Sequence, residues 1–219
     1  MAPTIEVSDD FCDKQNKSPH DLKRDFIYVP STGLYVAKER TLSGESWFDV
    51  HKQLQSEGSR MPTIPEFTEF LKYLRDNPSD ENTRIYKDIT EVRDPWRAEW
   101  LDADFKVKDI KLHINYNNII DPNGNLVPEN SDLLDEDTLI ENGVYRISLE
   151  SWLDNPTSQG LPRKDIDKGE LYYWTPDIYQ YSSVAGFFTV SVKGVGLNCY
   201  WTPSSNGKVD VGVRAVKRE

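Results

Sequence analysis

An α+β domain is the fold class this sequence predicts. Two amphipathic helical stretches stand in its first half, a turn-centred hairpin in its middle, and alternating apolar residues run through its end. The 219 residues are about one and a half times a usual domain length, which favours one domain carrying insertions. Residues 1–25 are polar and without periodicity, and are expected to form a flexible arm. Residues 26–219 are expected to form the domain, with an enlarged middle over about 79–170.

Phe26 to Lys38 reads as two short strands around the turn Pro30-Ser31-Thr32-Gly33. Ser43 to Ser46 offers a helix cap; Trp47, Val50 and Leu54 follow at helical spacing, and Gly58 supplies the stop. A second helix opens at Met61-Pro62-Thr63-Ile64-Pro65-Glu66, where Thr63 and Glu66 have the spacing of a capping box. Phe67, Phe70, Leu71 and Leu74 stripe its inner face, and Asn77-Pro78 ends it. The middle carries a weaker pattern: a helical stretch from Ile85 to Val92, then alternating apolar positions around Trp100 and Phe105. His113–Ile120 and Leu126-Val127 make a hairpin around Asp121-Pro122-Asn123-Gly124, because Asn-Gly accepts the positive φ of a tight turn. Glu129 to Glu141 is acidic and reads as a solvated face.

The signal is clearest at the end. Leu171 to Trp174 is a short strand, and Phe188, Val190 and Val192 alternate with Phe187, Thr189 and Ser191. Gly194 and Gly196 turn the chain, and Leu197 to Trp201 returns. After a tight turn at Asn206-Gly207, Val209, Val211, Val213 and Ala215 face inward on a final strand. Together these predict an antiparallel meander with polar and aromatic loops at one end.

Composition narrows the function. Lys and Arg number 26 against 37 Asp and Glu, a net charge of -11. Nucleic-acid backbones and anionic membranes both attract basic surfaces, so neither is an expected partner. No apolar run approaches the roughly 20 residues that span a bilayer, and the chain opens with neither a basic n-region nor an apolar h-region. A cytoplasmic or virion-associated location is expected. Cys12 and Cys199 are far apart, no CxxC occurs, and His20, His51 and His113 are scattered, so neither a metal nor another cofactor is expected. GxSxG and P-loop motifs are absent, and Cys199 has no His or Asn placed to activate it; it reads as a small strand or surface residue. Six Trp and eleven Tyr remain, residue types that binding surfaces favour.

The stretch Ser46-Trp47-Phe48-Asp49-Val50 through Met61-Pro62-Thr63 and Phe67 resembles the helix, turn and second helix of the C-type lectin fold. Tyr173-Trp174-Thr175-Pro176, then Tyr179, Ala185, Phe188, a glycine turn and Gly212-Val213-Arg214-Ala215-Val216 resembles the end of formylglycine-generating-enzyme-like domains. That pattern closes the variable proteins of diversity-generating retroelements, found in phages, bacteria and archaea. The resemblance implies a C-type lectin-like fold with two helices, antiparallel sheets and insertions.

Within such a fold the residues separate three activities. Calcium-dependent lectins use a Glu-Pro-Asn or Gln-Pro-Asp loop, a Trp-Asn-Asp strand and paired disulfides. Here Asp121-Pro122-Asn123 runs into Gly124 as a hairpin turn, and Trp-Asn-Asp is missing. The formylglycine-generating oxidases hold copper on two nearby Cys late in the chain, where this sequence has Cys199 alone. Binding without catalysis is the activity left.

In the resembled variable proteins, adenines are mutagenised in codons that can yield Tyr, Ser, Asp, Asn, Gly, Phe or Cys but never Trp, Lys, Gln, Glu or Met. Carried over, this marks Asp177, Tyr179, Tyr181, Ser182, Ser183, Asn198, Tyr200, Ser204 and Ser205 as variable ligand-binding positions. Trp174, Trp201, Gln180 and Lys193 become scaffold or invariant surface by the same rule, and Trp174, Trp201 and Arg214 are expected as scaffold near the site. Tyr adds contact area at low entropic cost and Ser adapts its hydrogen bonds, so the set has the composition of a paratope. The expected partner is a protein or cell-surface ligand. The alternatives are a degenerate enzyme of the formylglycine-generating type and a structural tail-fibre or adhesin module.

Overall fold

The structure is a computed structural model and describes residues 24–91, 94–141, 143–177, 182–190, 194–202 and 210–218. Helices and mostly antiparallel sheets are mixed in it, as the α+β prediction required. Strands β1 (Phe26–Val29) and β2 (Leu34–Ala37) form the first hairpin, and β11 (Val216–Lys217) pairs with the other edge of β2. The two ends of the domain therefore share one three-stranded sheet.

Helix α1 (Trp47–Ser56) starts where the Ser46 hydroxyl accepts the Asp49 N–H at 3.1 Å. Helix α2 (Ile64–Asp76) starts at Thr63, whose N–H donates to Glu66 Oε2 at 2.9 Å, and Pro65 sits in a first turn that needs no N–H from it. The stripe Phe67, Phe70, Leu71 and Leu74 is buried as the spacing predicts. Helix α3 (Asp80–Thr90) is longer than the predicted stretch and begins earlier, because Ser79 caps it by accepting the Asn82 N–H.

The large sheet has the order β5-β4-β3-β8-β9-β7-β6. Its strands are β3 (Arg97–Lys108), β4 (Lys111–Ile120), β5 (Leu126–Leu133), β6 (Val144–Ile147), β7 (Leu171–Trp174), β8 (Ser183–Val190) and β9 (Gly194–Trp201). Strand β10 (Val211–Gly212) adds to β3 in parallel, and a short helix α4 (Leu149–Asp154) follows β6. Two apolar clusters cover the sheet. Phe187 joins the larger, with α2, α3 and Trp152; Phe188 joins the other, with Trp47, Val50 and Leu54 of α1 and with Trp100. Adjacent residues of one strand thus serve opposite faces.

Four expectations need correction. The acidic stretch is not simply a solvated face: β5 occupies its first part, and Leu134, Thr138 and Leu139 are buried behind it. The end of the chain is not one inward-alternating strand. Val211 pairs with β3 and Val216 with β2, so Gly212 and Arg214 are buried as fully as Val213. Gly196 lies within β9 rather than at the turn. Finally, the late strands are not a plain antiparallel meander, because β7 pairs with β9 in parallel. Val209 and the Asn206-Gly207 turn lie outside the described residues, as do Cys12, His20 and nearly all of the expected arm.

Candidate functional site

The parallel pairing of β7 with β9 builds the site. Strand β7 leaves the sheet at Trp174, opposite Asn198, and the chain re-enters at β8, whose start lies beside the end of β9 through the pair Val184 and Trp201. Strand β6 begins at the same end, with Val144 opposite Trp174. Asp177, Ser182, Asn198 and Tyr200 are all brought to this one end of the sheet.

A bulge shapes it further. Register shifts between Val184 and Gly186 of β8, so β9 carries one extra residue there. Asn198 and Trp201, three residues apart, consequently face the same side, and Tyr200 is left 46% exposed. The Asn198 Oδ1 accepts the Tyr200 N–H at 2.7 Å, satisfying a donor that the bulge would otherwise strand.

Aromatic rings line this face in sequence. Tyr172 and Trp174 lie 5.2 Å apart between centroids, Trp174 and Phe188 4.9 Å, and Trp201 and Trp100 4.9 Å. Glycines make room for them: a Cβ on Gly186 would meet Trp201 at 2.3 Å, and one on Gly196 would meet the Tyr172 carbonyl at 2.5 Å. Gly186→Ala is therefore expected to push Trp201 from its place at a cost of roughly 1–3 kcal/mol. A lowered urea midpoint with an altered near-ultraviolet dichroism spectrum would show it; an unchanged spectrum would mean the ring is not seated on Gly186.

Gly143, Val144, Trp174, Thr175, Asp177 and Tyr200 line an open cleft of about 230 Å³ at the sheet end. Val144 and Gly143 carry no motif, and sequence reasoning missed them; only the edge position of β6 brings them in. Ser183 corrects the predicted set. It is fully buried at the start of β8 and so presents nothing to a ligand. Tyr179, Tyr181, Ser204 and Ser205 lie outside the described residues, as do Gln180 and Lys193. Trp201 is half-buried scaffold beneath the face. Arg214 is scaffold away from the cleft, 1% exposed, donating from Nε to Glu99 Oε1 at 2.9 Å, from Nη2 to Asp88 Oδ2 at 3.3 Å, and from Nη1 to the Lys38 carbonyl.

Two buried polar groups elsewhere escaped notice. His51 Nε2 lies 3.5 Å from Asp102 Oδ1, with no hydrogen-bond partner. Burial pushes the His51 imidazole down to about 3 and the Asp102 carboxyl up to about 7, the latter against two hydrogen bonds from Asn118. Cys199 is fully buried in β9, and burial raises its thiol pKa well above the usual value, which keeps it a thiol rather than a nucleophilic thiolate. Among the described residues no group of three or more His, Cys, Asp or Glu is placed to hold a metal ion, and no helix is long and apolar enough to cross a membrane. Comparison with family models, curated proteins and solved structures finds no significant match.

Proposed function

We propose that this chain is a non-catalytic ligand-binding protein of the C-type lectin type, and that its contact face is the sheet end formed by β6, β7, β8 and β9. The observation that carries the reading is convergence. The resemblance and residue type mark Asp177 and Ser182 on one segment and Asn198 and Tyr200 on another; the strand pairing brings the two segments to one end of the sheet, where Asp177 and Tyr200 line one cleft. Half-buried Trp174 and Trp201 supply the rigid floor that such a face requires. The closure of β11 on β2, with α1 and α2 following the first hairpin, supports the lectin-type topology.

On this reading a retroelement reverse transcriptase diversifies the face, and the partner is a protein or cell-surface ligand. Sequencing the gene's surroundings tests it. A reverse-transcriptase gene and a near-copy of the 3′ end are expected, differing at adenines under the codons for Asp177, Tyr179, Tyr181, Ser182, Asn198, Tyr200, Ser204 and Ser205. A neighbourhood with neither refutes the diversification. The face itself is tested by replacing Tyr179, Tyr181 and Tyr200 together with alanine. The melting temperature is expected to move by less than about 4 °C, the equivalent of roughly 1 kcal/mol in a domain of this size. Loss of the folded state would place those tyrosines in the core and remove the contact face.

A further inference from the structure

A pocket that shares no residue with the sheet-end cleft opens between the two sheets. It has a volume of about 370 Å³ and is lined by α1, the loop after it, β4, β5 and β11. Hydrogen bonds between these elements fix its walls. The Gln55 side chain donates to the Ile120 carbonyl at 2.9 Å and accepts the Ile120 N–H at 2.7 Å. The Arg60 and Val216 main chains exchange bonds of 3.0 and 2.8 Å, so the pocket is preformed. Its inner end is made by His51, Asn118 and Val216, all buried. His51 is 3% exposed, and its Nε2 has no hydrogen-bond partner among the described residues. A buried polar atom left in that state is rare in a folded protein and asks for a partner.

The outer part of the pocket is divided by charge. Lys217 of β11 and Arg218 after it stand on one side, and Glu129 of β5 on the other. Among the described residues neither Lys217 nor Glu129 forms an ion pair; the Lys217 ammonium lies instead 4.7 Å from the Phe26 ring centre. Arg60 also lines the pocket, but Glu66 already engages its guanidinium through bonds of 2.7 and 2.6 Å. We propose that this pocket binds a small zwitterion of the amino-acid class, its carboxylate directed to Lys217 and Arg218 and its ammonium to Glu129. An anion alone would face Glu129, and a cation alone would face the two basic side chains. A ligand carrying both charges answers both sides. Charges lining a cleft with low-dielectric walls also act more strongly than the same charges on an open surface. The site lies apart from the sheet-end contact face and adds a second binding function to it.

Free alanine, N-acetylalanine and alaninamide serve as probes against the full chain. The first carries both charges, the second only the carboxylate and the third only the ammonium. Binding is followed by the ring C–H resonances of His51 in two-dimensional NMR, identified by their loss in His51→Gln. The expected result is a saturable shift with alanine, weakened at least about threefold by Glu129→Gln and by Lys217→Gln combined with Arg218→Gln. Either single-charge probe is expected to bind more weakly than alanine by a similar factor. Glu136→Gln removes an exposed carboxylate that does not line the pocket, and is expected to leave the alanine shift intact. Equal weakening by Glu136→Gln and Glu129→Gln would make the effect one of overall charge and overturn the proposal. A single-charge probe that binds as tightly as alanine overturns the zwitterion assignment, and no shift from any probe overturns the site. The sheet-end face and the gene neighbourhood stand or fall on their own tests.

Discussion

Replacing Arg214 with alanine is expected to cost roughly 3–5 kcal/mol of folding stability, a large share of what a domain possesses. The side chain is buried between Glu99 of β3 and Asp88 of α3, and also donates to the Lys38 carbonyl beside β2. Its loss does not strand Asp88, which keeps Arg97 at 2.7 Å. Glu99 is the group left exposed to its environment's cost: it is fully enclosed, burial already pushes its carboxyl pKa up, and Arg214 is the first influence opposing that. Without Arg214 the carboxylate must either stay charged in a buried site with Arg40 as its remaining opposing charge, or take up a proton. The double variant Arg214→Met with Glu99→Leu is expected to recover much of the loss, since both charges then leave together. Urea unfolding of the three proteins decides the matter. An Arg214→Ala midpoint equal to the parent's would mean the network contributes nothing.

The second large effect concerns pH and is hidden in the parent protein. Asp102, pushed up to about 7, keeps a proton in the fold that the unfolded chain releases near pH 4. Alone, it stabilises at low pH and loses that contribution as pH rises through 7. His51, pushed down to about 3, stays neutral in the fold while the unfolded imidazole is protonated below about pH 6.5. Alone, it stabilises at high pH and loses that contribution as pH falls. Between about pH 4 and 6.5 the two residues together hold one proton in the fold and one in the unfolded chain, whichever of them carries it. Their contributions cancel, and the pair adds no slope. His51→Gln is expected to expose the Asp102 part: relative to the parent, stability falls with rising pH by about 1.4 kcal/mol per unit across that window. Asp102→Asn is expected to show the opposite slope. Denaturant titrations at three pH values measure both, and slopes matching the parent's in both variants would show that the two groups titrate in the fold as they do outside it.

How much of this was legible in the sequence depends on the range of the interaction. Helices α1 and α2 announce themselves through Ser46, through Thr63 and Glu66, and through stripes of apolar residues, each cue within four positions of the next in its own helix. The β4–β5 hairpin follows from Asp121 to Gly124, where Asp121 Oδ1 accepts from both Asn123 and Asn125. Local chemistry writes local structure. The parallel contact of β7 with β9 has no such signature, because nothing near Leu171 says which strand will lie beside it. The final segment misled for a related reason: Val211, Val213 and Ala215 alternate as one strand would, yet Gly212 and Arg214 between them are buried by partners far away in the chain. For the site, the resemblance and residue type together mark Asp177 and Tyr200 but also Ser183, which is buried because both faces of β8 are covered. Val144 and the His51–Asp102 pair were invisible because only the folded sheet makes them neighbours.

The seam between β2 and β11 bears on how the chain is made. Val36 leaves the ribosome long before Val216, its partner. Arg214, which neutralises Glu99 and binds beside Lys38, arrives equally late. A nascent chain can form α1, α2 and the β4–β5 hairpin as they emerge, but its first sheet waits with an open edge and its buried carboxylate waits without a counter-ion. Synthesis at about 5–20 residues per second makes that interval many seconds long, a window in which an unpaired edge invites the wrong neighbour. Strand β11 and Arg214 thus act as a latch on the first sheet, and the fold cannot be completed before both have been translated.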